Sequence, residues 1–106
     1  KANKQAYIDA ARKSSEIFKE YGALRVVETW SETIPDGQVT DFKRAVQAQE
    51  GEAIVFSWIE WPDKQTHEAA SERMFTDTRW QDMPPMPFDG KRMIWGEFEP
   101  IFDSLG

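Results

Sequence analysis

With 106 residues, 40% of them apolar and five Trp with seven Phe among them, the chain has material for one folded core and not for two. A net charge of −6 repels phosphate backbones, so general nucleic-acid binding is disfavoured. The absence of cysteine excludes disulfides, thiolate metal sites and Cys nucleophiles and fits a reducing, cytoplasmic setting, and no apolar run approaches the ~20 residues that span a bilayer.

The first element is a helix over residues 3–21. Asn3 suits the N-cap. Tyr7, Ala10, Ala11, Ser14, Ile17, Phe18 and Tyr21 recur at three- and four-residue steps, which gathers them on one face. Gly22 stops the helix, because glycine accepts the left-handed conformation that ends many helices. Residues 23–30 read as a strand, with Leu24, Val26 and Trp30 on one side and Arg25, Val27 and Thr29 on the other. Pro35-Asp36-Gly37 is a turn. Residues 39–49 fit either a short helix carrying Val39, Phe42 and Val46 or an extended arm. Glu50-Gly51-Glu52 then turns the chain into its central strand.

That strand, residues 54–61, is dense in β-branched and aromatic residues. Ile54, Phe56, Trp58 and Glu60 fall on one face, and Val55, Ser57, Ile59 and Trp61 on the other. Both faces are largely apolar, so each needs a cover. Pro62 breaks the strand and Asp63 caps a second helix, whose apolar side is Ala69, Ala70, Arg73, Met74 and Phe75 and which fades near Asp77. Residues 83–87 form a stiff Pro-rich loop and 88–91 a tight turn. Residues 92–98 read as a last strand, with Met93, Trp95 and Glu97 on one face and Ile94, Gly96 and Phe98 on the other.

The order is therefore helix, strand, strand, helix, strand. A strand upstream of Lys1 completes β-α-β-β-α-β, the ferredoxin-like plan: an antiparallel sheet with two helices on one face. The fold class expected is α+β, a single domain over residues 1–106 that uses such an upstream strand. The second sheet face is too apolar to meet water, which points to a homodimer formed through the sheet faces.

Three stretches carry a resemblance: residues 21–30 (YGALRVVETW), 55–62 (VFSWIEWP) and, most specific, 86–96 (MPFDGKRMIWG). With residues 39–46 they make nearly the whole chain similar to the YbaA-like family of small uncharacterised bacterial proteins. The resemblance implies a dimeric α+β barrel of ferredoxin-like protomers. Cofactor-independent monooxygenases, small isomerases and stress-induced binding proteins share that type, so it implies a fold and a dimer without fixing a reaction.

The candidate chemistry is sparse. His67, the single histidine, sits at the start of the second helix, where an imidazole suits acid–base work or simply faces solvent. Glu60 lies between Trp58 and Trp61; a carboxylate walled by indoles is the setting of a general acid or base, and one paired with Arg25 or Arg92 is ordinary structure. Arg25 is a candidate anion partner. Trp30, Trp58, Trp95 and Met93 are candidate contacts for a flat apolar or aromatic ligand, with core filling as the alternative. One histidine, no cysteine and no patterned acidic loop lead to no metal, and no Gly-rich phosphate loop leads to no cofactor. Two functions remain: a small-ligand-binding or stress-response module, and a cofactor-independent oxygenase or isomerase acting on an aromatic or enolisable molecule.

Overall fold

Among the described residues three α-helices and two strands follow one another, α1 (Lys4–Glu20), β1 (Arg25–Ser31), α2 (Phe42–Ala45), β2 (Ile54–Glu60) and α3 (Lys64–Thr76), with 3₁₀ turns at Thr78–Trp80 and Gly90–Arg92 after them. They come from a computed structural model that describes residues 4–83 and 87–105. The fold is α+β. Its sheet, among the described residues, is one antiparallel pair of strands.

Register decides what each sheet face carries. Arg25 lies opposite Glu60, Val27 opposite Trp58, Thr29 opposite Phe56 and Ser31 opposite Ile54. These residues share one face, because side chains alternate along a strand. Val26 with Ile59, Glu28 with Ser57, and Trp30 with Val55 form the other.

α1 sits on the second face. α1 buries Tyr7, Ala10, Ser14 and Ile17, the stripe its three- and four-residue spacing predicts. The Tyr7 hydroxyl donates to Glu28 at 2.7 Å, and its ring meets Trp30 edge-on at 6.1 Å. Ser14 is tolerated in that stripe because its hydroxyl donates back to the Ala10 carbonyl at 3.0 Å. α3 packs on the far end of α1: Ala70, 1% exposed, clusters with Ile17 and Tyr21, with Phe18, Trp61 and Trp80 around them. The approach is close. Gly22 adopts φ +111°, and a Cβ there would lie 2.7 Å from Thr66 Cγ2.

Capping fixes both ends of α3. Asp63 accepts from the Thr66 amide at 2.7 Å, and its hydrogen bonds to Thr66 hold its carboxyl below the usual range. At the other end Asp77 accepts from the Tyr21 hydroxyl at 2.7 Å and from the Arg79 guanidinium, which also reaches Glu20 at 2.9 Å. Trp80 Nε1 donates to the Tyr21 oxygen at 3.0 Å, and Arg73 lies over the Tyr21 ring at 4.4 Å. This clasp joins the end of α1 to the end of α3.

Several expectations need correction. Residues 92–98 are not a strand. Asp89 caps a 3₁₀ turn at Gly90–Arg92 instead, and the residues that follow pair with neither outer edge of the β1–β2 sheet. The described sheet accordingly has two strands and not the four of a ferredoxin-like plan. β1 begins at Arg25, two residues later than the pattern suggests, and Trp61 falls just beyond β2. The apolar side of α3 is narrower than its sequence reads: only Ala70 is buried, and Met74 and Phe75 are exposed. Residues 39–49 resolve as the short helix α2 followed by turns. The expected N-cap Asn3 and the loop residues Pro84, Pro85 and Met86 lie outside the described residues.

Candidate functional site: the open face of the sheet

The face of the hairpin away from α1 carries a run of rings. Phe56 (55% exposed) and Trp58 (40% exposed) are successive residues on that side of β2, with centroids 5.9 Å apart. Phe42 of α2 extends the run, meeting Phe56 edge-on at 6.2 Å. Trp58 Nε1 donates to Glu60 at 2.9 Å, and Arg25 approaches the same carboxylate oxygen at 3.5 Å. The Thr29 hydroxyl donates to the Phe56 carbonyl. The surface is thus an aromatic strip ending in an ion pair.

Local chemistry places Phe42 on this strip. Asp41 caps α2, accepting from the Arg44 amide at 2.8 Å and from the Gly37 amide at 3.2 Å. The Arg44 amide, then Gly37 and the Arg44 guanidinium, hold its carboxyl down at about 2. Lys43 pairs with Asp36 at 2.6 Å. The turns after α2 are gathered by Arg92, which donates to Glu52 through both terminal nitrogens at 2.9 Å, to the Gln47 carbonyl at 2.9 Å, and through Nε to Asp89 at 2.9 Å. The fork on Glu52, with the Gln49 amide beside it, lowers that carboxyl to about 2. The FDGKR run is therefore a structural knot here: Asp89 caps the turn and steers the guanidinium.

The sequence candidates divide among three places. Arg25, Trp58 and Glu60 meet on the open face. Trp30 lies on the opposite face against Tyr7, its Nε1 donating to Glu32 at 3.1 Å. His67 and Trp95 share an open cleft of about 480 Å³ between α3 and residues 95–97. There His67 stacks at a tilt on Trp61, 5.3 Å away, and its Nδ1 is 3.9 Å from Glu97. Ser71 lines the same cleft but donates to the His67 carbonyl at 3.1 Å, not to the imidazole, so no nucleophile and base are paired. Met93 is exposed, and its amide closes the 3₁₀ turn on the Gly90 carbonyl at 3.3 Å.

Phe42 and Glu52 were not singled out from sequence as parts of this face, and Arg92, read there as an alternative partner of Glu60, binds Glu52 and Asp89 while Arg25 takes Glu60. The one available signal was spacing: an Asp three residues before an Arg occurs at Asp9 and Arg12 inside α1, at Asp41 and Arg44, and at Asp89 and Arg92, and in the last two the Asp caps a turn. Among the described residues no three His, Asp or Glu side chains gather as a metal site, and no helix is long and apolar enough to cross a membrane.

Comparison with known proteins gives a consistent answer. Residues 1–90 match the model of a family described as a protein of unknown function, DUF1428. The proteins named "Uncharacterized protein YbaA" from Escherichia coli strain K12, E. coli O157:H7 and Shigella flexneri are each 54% identical over 102 residues, which covers 95% of this chain and 87% of theirs.

Proposed function

For a chain that belongs to the DUF1428 family, whose function its description leaves open, we propose a homodimeric module that holds a small flat apolar or aromatic ligand between two sheets. One observation carries this reading: on a sheet face where Ile54 is buried, the strip Phe42, Phe56 and Trp58 stands about half exposed. A monomer seldom leaves an apolar patch of more than a few hundred Å² to water, and two copies of one patch bury each other about a two-fold axis. A stable pair needs ~800 Å² from each partner; rings already about half covered supply roughly half of the 150–250 Å² a fully buried aromatic gives, so the strip is the centre of such an interface and not its whole. The free edge of β2 is where a further strand would extend this sheet toward the ferredoxin-like plan of a dimeric α+β barrel.

The cleft beside His67 is the weaker ligand site. Trp95, one of its walls, is 82% exposed, whereas a ligand pocket encloses most of what it binds. Binding is also favoured over turnover. Glu60, the residue on which an oxygenase or isomerase reading depends, is held by Arg25 and Trp58 as an exposed ion pair.

Sedimentation equilibrium from low to high micromolar concentration tests the assembly; a dimer is expected, and a monomer throughout that range overturns it. Thermal-shift screening with indole, benzoate and naphthol derivatives tests the ligand class. Stabilisation by flat aromatic compounds, lost in Trp58→Ala, is the expected result.

A further inference from the structure

We propose that Arg92 is a positioning residue for the open face: its fork on the turns before β2 fixes α2 in place and thereby sets Phe42 against Phe56. The inference deepens the dimer reading above and rests on it for its functional meaning.

A helix of four residues does not hold itself in position. The bonds made by Asp41, Arg44 and Lys43 tie α2 only to the preceding turn, at Asp36, Gly37 and Val39. The attachment to the rest of the chain runs the other way. The Gln47 amide donates to the Arg44 carbonyl at 3.2 Å and the Ala48 amide to the Lys43 carbonyl at 2.8 Å, which fastens the following turn to α2. The Gln49 amide donates to Glu52 at 2.7 Å, which fastens that turn to the residues leading into β2.

Arg92 grips both points at once, the Gln47 carbonyl and the Glu52 carboxylate. Gln47 has φ +53°, a left-handed conformation that a non-glycine residue keeps only when its surroundings impose it. Its carbonyl is one of the groups Arg92 holds. Asp89 in turn fixes the guanidinium through Nε. The guanidinium makes four bonds from three nitrogens, forking on Glu52 while reaching Gln47 and Asp89; an ammonium has three donors on one nitrogen and cannot form that fork.

The test is a double-mutant cycle between Arg92→Gln and Phe42→Ala, read by the dimer dissociation constant and by NMR contacts between the Phe42 and Phe56 rings. Each single variant is expected to weaken the dimer about tenfold, the scale of a moderate interface residue. Because both act through one ring, the double variant should be no weaker than either single. Arg92→Gln should also lose the ring contacts, and Arg92→Lys should resemble it. Effects that multiply, or ring contacts that survive in Arg92→Gln, overturn the proposal. Should Arg92→Gln lose its far-UV helix signal, Glu52→Gln removes the same grip from the other side and is read in the same two ways. A wild-type monomer would defeat the dimer reading alone, since the ring contacts still report on Arg92.

Discussion

The two faces of the β1–β2 hairpin are built from similar residues and end in different surroundings. One carries Val26, Trp30, Val55 and Ile59 and lies under α1. The other carries Val27, Ile54, Phe56 and Trp58; Ile54 is buried, while Phe56 and Trp58 stay exposed with the ring of Phe42 beside them. Hydrophobicity alone does not choose between them. The choice comes from the stripe on α1, whose Tyr7 bonds to Glu28 and so selects the face on which Glu28 stands. Burying a polar group requires a partner, and that requirement orients an otherwise ambiguous apolar sheet.

The comparison can be pressed by substitution. The largest loss of folding stability is expected on the covered side: Ile17→Ala removes a buried contact to Ala70 and Tyr21 and should cost about 2–4 kcal/mol in urea unfolding. Phe56→Ser on the open side should leave the monomer's fold in place and raise the dimer dissociation constant by a factor of about 30 or more, seen by sedimentation. Unfolding the monomer by as much as Ile17→Ala does would erase the distinction between the faces.

Acid should act on the knot beside the open face. The Glu52 carboxyl is held at about 2 in the folded chain by Arg92, against 4.5 ordinarily. A carboxylate with a depressed folded pKa stabilises above its unfolded value, so this contribution is complete above pH 4.5 and fades as pH falls toward 2. Melting temperature followed from pH 6 to pH 2.5 should therefore drop less steeply in Arg92→Gln than in the wild type. The smallest effect is expected for Glu60→Gln, whose pair with Arg25 is exposed: about 0.2–1 kcal/mol, by the same urea assay.

Much of the covered side was legible in the sequence. The stripe of α1 appears in its spacing, Asp63 announces the start of α3, and β2 stands out by its β-branched and aromatic residues. The open side was legible only as a need for cover. Phe42 was ambiguous because four helical residues are too few to show a period. The strand expected at 92–98 has the right composition, yet a strand exists by pairing, and composition does not bring these residues to the edge of β1 or β2. The candidate site residues scattered because tryptophans at Trp30, Trp58 and Trp95 look alike in sequence, while alternation and register send them to different surroundings. The clasp of Tyr21, Asp77 and Arg79 joins residues 56 apart, a distance no local pattern reaches.

Gly22 places a limit on how this chain can drift. A methyl group there meets the Thr66 methyl, and trimming Thr66 to Ser relieves that collision without making φ +111° any easier for a side chain. No single replacement at either position frees the other. The turn that closes the first helix and the opening of the third are thus coupled by one contact, although 43 positions lie between them.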